Sequence, residues 1–199
     1  MAQTSTTLSG EVSHKSNVTG SDISISTSGS ISATSTILTG AGKFAVGDLI
    51  SVTGTGNNNK TFTVKTVVSA TEFKVEEIIS GNDNADGSTS FVLDHTGFVT
   101  DKAKGDGYYS QPDGVHTVAY HPGASINDDS TIGLIMQGTL ATTPTADDWF
   151  DISGTEITDA SLDGSTLAFH ANFTGNFVWV RAKVSGMTAG TVTKILYNH

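Results

Sequence analysis

Phe44-Ala45-Val46-Gly47-Asp48-Leu49-Ile50-Ser51-Val52-Thr53-Gly54, followed shortly by Asn57-Asn58-Asn59-Lys60-Thr61-Phe62-Thr63-Val64, decides the fold class. Ile50 and Val52, then Phe62 and Val64, place an apolar residue at every second position, the period of a strand with one face turned inward. Gly47-Asp48 supplies a turn before the first strand. The Gly/Asn run supplies a loop between the two, so the segment reads as a β-hairpin. Side chains arranged for catalysis are absent from it, which makes it a packing unit rather than a reaction site.

The same period extends on both sides. Ile23 and Ile25 alternate with serines, Ile31, Ala33 and Ile37 follow Gly29, and Phe73 and Val75 continue the pattern. Strands of about five residues, separated by Gly40, Gly47, Gly54, Gly56 and Gly81, are expected over residues 21–93. Closing such short strands into a small β-barrel removes their unpaired edges, and a small closed barrel is the expectation for this domain. Residues 1–20 are polar with isolated apolar positions and read as an extended N-terminal arm, of the kind a neighbouring subunit holds in place.

Beyond a boundary placed near residue 93, Asp101 to Gly114 is poor in aliphatic residues and reads as linker-like. Longer strands follow at Val115 to Tyr120, Thr131 to Leu140, Thr166 to Phe173, Phe177 to Val184 and Thr191 to Tyr197. In the fourth, Val178, Val180, Ala182 and Val184 share one face, and Trp179, Arg181 and Lys183 the other. In the third, Leu167, Phe169, Ala171 and Phe173 lie together. The turn Thr174-Gly175-Asn176 predicts that the third and fourth strands form an antiparallel hairpin within a meander, so residues 94–199 are expected to form an antiparallel β-sandwich. No amphipathic helix of three turns is present. The class is all-β.

Composition narrows the function. The chain carries 10 basic and 20 acidic residues, a formal net charge of −10, and Arg181 is its one arginine. That balance repels phosphate backbones and anionic lipid, and argues against a nucleic-acid or membrane partner. Cysteine is absent, so neither disulfides nor thiolate metal sites arise. No apolar run approaches the ~20 residues that cross a bilayer, and the start has no signal-peptide pattern. Synthesis in a host cytoplasm is the expectation.

The motifs that hint at chemistry are weak. Asn82-Asp83-Asn84-Ala85-Asp86-Gly87 resembles the opening of a calcium loop, but Leu93 stands where the bidentate glutamate belongs. His14, His95, His116, His121, His170 and His199 show no ligand spacing; His116 and His121 fall on opposite strand faces, and His170 faces outward. No Gly-x-Ser-x-Gly elbow exists, and Gly40-Ala41-Gly42-Lys43 lacks the first glycine of a phosphate loop, Ile37 standing there. Asp147, Asp148, Asp151 and Glu156 are near one another as chance allows in an acidic chain, as are Asn127-Asp128-Asp129. No catalytic, cofactor-binding or metal-binding residue is assigned. Trp149, Trp179, Tyr108 and Tyr109 are candidates for stacking on sugar faces. Trp179, Arg181, Lys183, Tyr108 and Tyr109 are the candidate interface.

The Phe44-x-Val46-Gly47-Asp48-x-Ile50-x-Val52-x-Gly54 segment with Asn58-Asn59-Lys60-x-Phe62-x-Val64 resembles small β-barrel modules of tailed-bacteriophage virion proteins. Gly175 to Val184 with Gly190 to Ile195 is similar to sandwich domains of phage structural proteins. The resemblance implies a non-enzymatic virion component, a homo-oligomer that clamps major capsid or tail proteins. A capsid decoration (cement) protein is the leading expectation; a tail adaptor, fibre or knob subunit and a host-glycan binding module are the alternatives.

Overall fold

A computed structural model describes residues 5–112, 114–123, 126, 132–158 and 168–199. In chain order the strands are β1 (Ser5–Ser9), β2 (Val12–Ser13), β3 (Val18–Gly20), β4 (Ile23–Ser26), β5 (Ser30–Ala33), β6 (Asp48–Thr53), β7 (Thr61–Ser69), β8 (Glu72–Val75) and β9 (Asp83–Asn84). They continue with β10 (Phe91–Val99), β11 (Ala103–Lys104), β12 (Val115–Pro122), β13 (Gly133–Thr139), β14 (Phe150–Asp151), β15 (Ile157–Thr158), β16 (Phe169–Thr174), β17 (Trp179–Ser185) and β18 (Thr191–Asn198). The helical pieces among the described strands and loops include short 3-10 turns at Asp106–Tyr109 and Ala146–Asp148. The chain is all-β, and it divides into two compact units, Lys15–Phe98 and Met1–His14 with Val99–His199.

In the unit 15–98 the antiparallel ladders run in the order β3, β10, β6, β7, β8, β5, β4, β9. The alternating apolar residues behave as their period requires. Ile23, Ile25, Ile31, Ile50, Val52, Phe62, Val64, Phe73 and Leu93 are all buried in one cluster with Phe44 and Leu38, each worth about 1.5–3 kcal/mol of transfer from water. Ile50 stands opposite Phe62 in the β6–β7 ladder, as the hairpin reading requires. Ile37 departs from the pattern: it lies outside β5 and is exposed. The ladders among the described residues leave β3 and β9 at the two ends of this order, and none of them pairs β3 with β9.

The second unit holds two sheets in a sandwich-like arrangement. One runs β1, β18, β12, β16, with β2 also on β18; in the other β13 and β17 pair centrally, with β14 and β15 on β13 and β11 on β17. Val118, Tyr120, Phe173, Ile195 and Tyr197 of the first sheet and Leu134, Met136, Val180, Ala182 and Val184 of the second are buried. Two expectations change here. Residues 5–9 and 12–13, read as part of an extended arm, pair with β18 of the same chain, Thr7 opposite Leu196. The expected β16–β17 hairpin does not form: β16 pairs with β12 and β17 with β13.

The reason lies at Gly175-Asn176-Phe177. Gly175 has φ +147, and a Cβ there would stand 2.2 Å from the Phe177 ring. Phe177 is buried, and the amide of Val178 already donates to Thr139 O of the other sheet (2.9 Å). Burying the Phe177 ring carries the chain across from one sheet to the other, where a tight hairpin would have left it in solvent.

Candidate functional site

Polar side chains of the unit 15–98 are turned on its own backbone. Asp22 accepts from the amides of Thr34, Ser35 and Thr36 and from the hydroxyls of the same three residues (2.6–3.1 Å). These donors, the Thr36 hydroxyl foremost, hold its carboxyl far below the usual carboxylate range. Asp83, in the stretch resembling a calcium loop, accepts from the amides of Gly56 and Asn57 and from the side-chain amides of Asn57 and Asn58. Burial opposes ionisation of Asp83, yet these donors outweigh it and its pKa is lowered. Asn58, fully buried, also donates to Gly81 O (2.7 Å) and accepts from Ser80 N (2.9 Å), so the Gly/Asn loop of the opening hairpin is pinned from below. Asp86 in turn caps Ser88 and Thr89, which lowers its pKa too.

Asp48, read from the sequence as a turn residue, begins β6 and is buried with His95, and the half-buried Lys15 reaches it from the surface. Its Oδ2 pairs with the Lys15 ammonium and accepts from Ala45 N (2.7 Å), and its Oδ1 lies 3.4 Å from His95 Nε2. Sequence reading missed this cluster because its members are distant along the chain.

The second unit contains a comparable closed network. Asp106 accepts from Gly114 N (2.8 Å) and lies 3.4 Å from His116 Nε2, while His116 Nδ1 meets the Tyr197 hydroxyl at 2.7 Å. Gly175 O also faces Nε2, so Nε2 carries a proton toward two oxygen acceptors. Burial, reinforced by Asp106, raises the Tyr197 pKa. Phe173, His116, Tyr197 and His199 stack with interplanar angles of 11–22°. With His116 fully buried, this column is a structural element.

On the outer side of that column lies the arrangement that faces solvent. Tyr108 and Tyr109 end the 3-10 turn Asp106–Tyr109 and are 43% and 49% exposed. The turn is held because Gly105 and Gly107 come down on β17's entry. Gly105 N donates to Val178 O (3.0 Å) and Gly107 N to Phe177 O (2.9 Å), where a Cβ would stand 2.4 Å and 2.7 Å from backbone oxygens. The linker-like composition of residues 101–114 is thus that of a tightly packed corner.

Trp179 packs on Tyr108 (centroids 4.8 Å), Tyr108 meets Tyr109 edge-on (5.3 Å, 75°), and the indole N–H of Trp179 donates to Thr142 O (3.0 Å). Lys102 sits over the Trp179 ring (4.5 Å) and Lys104 over Tyr108 (4.1 Å) and Tyr109 (5.5 Å). Lys104 stands opposite Trp179 in the β11–β17 ladder, which puts both on one face. Among the described residues the ion pairs within 4.0 Å involve Lys15, His95 and His116, so neither lysine of this ledge has a carboxylate partner.

The comparisons with known proteins add little to this geometry. No family model and no curated protein matches the chain. Among solved structures it is similar to a xylan-binding module, CBM15, with a TM-score of 0.32 and 10% identity over 77% of this chain and 91% of that one. What that module binds carries no argument for this chain.

Of the residues expected at an interface, Trp179, Tyr108 and Tyr109 come together in the ledge. Arg181 does not join them. It is only 9% exposed, with its guanidinium over the Trp149 ring (4.1 Å) and its Nε donating to Gln137 (2.9 Å), whose amide donates to Asp151 (2.8 Å). Trp149, a stacking candidate from sequence, is therefore covered on one face by Arg181. Lys183, half-buried, stands opposite Ile135.

The acidic group is dispersed among separate partners. Asp148 caps Thr145, whose amide and hydroxyl lower its pKa, and Asp151 holds Gln137. His170 is exposed, as its alternation predicted. Asn127, Asp128, Asp129 and Leu167 lie outside the described residues. Lys102 and Lys104 are not among the residues expected from the sequence; the one signal for them is two lysines at i and i+2 ahead of Tyr108-Tyr109 in an acidic chain. No helix of the described residues is long and apolar enough to cross a membrane.

Proposed function

We propose that the protein is a non-enzymatic structural and attachment component of a tailed-phage particle, in first place a capsid decoration protein, with a tail adaptor, fibre or knob subunit as the second placement. The observation that carries the attachment role is the ledge of Tyr108, Tyr109 and Trp179 with Lys102 and Lys104. Exposed tyrosine and tryptophan rings are among the residue types that dominate binding surfaces, and here a rigid corner presents them. The carboxylates of Asp22, Asp48, Asp83, Asp106 and Asp148 and the imidazoles of His95 and His116 face inward or cap loops, which suits a scaffold that holds partners. The phage placement rests on the sequence resemblance, and closure of residues 21–93 into a barrel belongs to the same proposal.

Adding the purified chain to particles that lack it tests the role. Saturable co-sedimentation at a fixed copy number, with a higher temperature for release of the packaged genome, is expected. Recovery of the chain entirely in the supernatant contradicts it.

A further inference from the structure

We infer that the Tyr108, Tyr109, Trp179, Lys102 and Lys104 ledge is a binding site for an acidic saccharide, a chain that contains hexuronate residues. This deepens the attachment reading above by naming the chemistry of the partner.

Three features point that way. The rings are not coplanar: Tyr108 and Tyr109 meet at 75° and Tyr108 and Trp179 at 58°. They form angled walls that accept one pyranose C–H face at a time. The polar groups of the ledge are then chiefly donors. Each lysine ammonium offers three N–H bonds and no acceptor, and the tryptophan N–H is already committed to Thr142 O. A neutral sugar hydroxyl both donates and accepts and is best met by carboxylates or amides as well. A rim of ammonium groups matches a ligand whose outward groups accept, which is a carboxylate.

The third feature is charge. In a chain of net charge −10, both cations of this ledge lie over ring faces with no ion pair within 4.0 Å among the described residues, so their field reaches a ligand within the ~8 Å screening distance of physiological salt. Nucleic acid fits less well. Its denser charge is repelled by the whole molecule, and the one arginine, Arg181, is buried over Trp149.

Isothermal titration of the full chain with three hexasaccharides, oligogalacturonate, oligomannuronate and hyaluronan, tests the site. Fully methyl-esterified oligogalacturonate serves as the uncharged control, and polyglutamate and oligo-dT as anions of other classes. Binding of at least one acidic hexasaccharide is expected, about tenfold weaker for the methyl ester, for Tyr109→Ala and for the double variant Lys102→Gln/Lys104→Gln, with near-native affinity in Tyr109→Phe. Circular dichroism melts confirm that each variant is folded.

The inference is overturned if none of the three binds at millimolar concentration, if polyglutamate or oligo-dT binds as tightly, or if the variants bind like the parent chain. A chain that is built into particles but binds no acidic saccharide overturns this inference alone. One that binds the saccharide yet never associates with particles overturns the structural role and leaves this site standing.

Discussion

Asp83 and Lys104 show how differently the two units use polar chemistry. In the unit 15–98 the carboxylates of Asp22, Asp48 and Asp83 are surrounded by donors from the same unit and fix its loops. In the unit formed by 1–14 and 99–199, Lys102 and Lys104 sit over aromatic rings at the surface, with no carboxylate partner among the described residues. Both units draw on a similar pool of Gly, Ser, Thr and short strands. The contrast teaches that these carboxylates are spent on the loops of their own unit while the lysines of the other are displayed at its surface, which is where the proposed attachment is placed.

The contrast can be broken most forcefully at the unit 15–98. Phe73→Ala empties a fully buried site and is expected to lower stability by about 3–5 kcal/mol, read as a fall in the denaturation midpoint followed by far-UV circular dichroism. Asp48→Ala strips Lys15 and His95 of their shared carboxylate and is expected to cost about 3 kcal/mol in urea unfolding. An effect within 0.5 kcal/mol would show that the cluster is not a determinant of this unit. Asn58→Ala, which releases Asp83, Gly81 and Ser80 together, is expected to cost about 2 kcal/mol by the same measurement.

Acid sharpens the same point. Asp22 and Asp83 both have folded pKa values depressed below the unfolded one. Their contribution is complete above the unfolded value of about 4 and is lost as pH falls through the folded values. Stability of the parent chain should therefore fall steadily below about pH 4, and Asp22→Asn should flatten that fall. An Asp22→Asn chain with the parent's acid profile would contradict the assignment. The smallest expected effect is at the displayed face: Tyr109→Ala should change stability by less than about 0.5 kcal/mol, because the ring is half in water already.

Much of the unit 15–98 was legible in sequence because its core obeys a period of two. Ile23, Ile25, Ile50, Val52, Phe62, Val64, Phe73 and Val75 are each buried where alternation placed them. What the sequence hid was non-local. Asp83 lies 25 residues from Asn58 and His95 lies 80 from Lys15, and no local pattern joins such pairs. The β16–β17 connection was misread for a related reason: a Gly-Asn turn is locally compatible with a hairpin, and only the burial of Phe177 selects the crossing. At the site, the aromatic members were visible by type. Their lysine partners were obscured by a glycine-rich stretch whose composition resembles a linker until its close packing on Phe177 is seen.

Quantitative mass spectrometry of gradient-purified phage particles tests the central claim most directly. The account predicts this chain at a fixed, high copy number per particle, in stoichiometric proportion to a capsid or tail protein. Its absence from particles, together with a free monomer that releases reducing ends from a polysaccharide, would contradict the account.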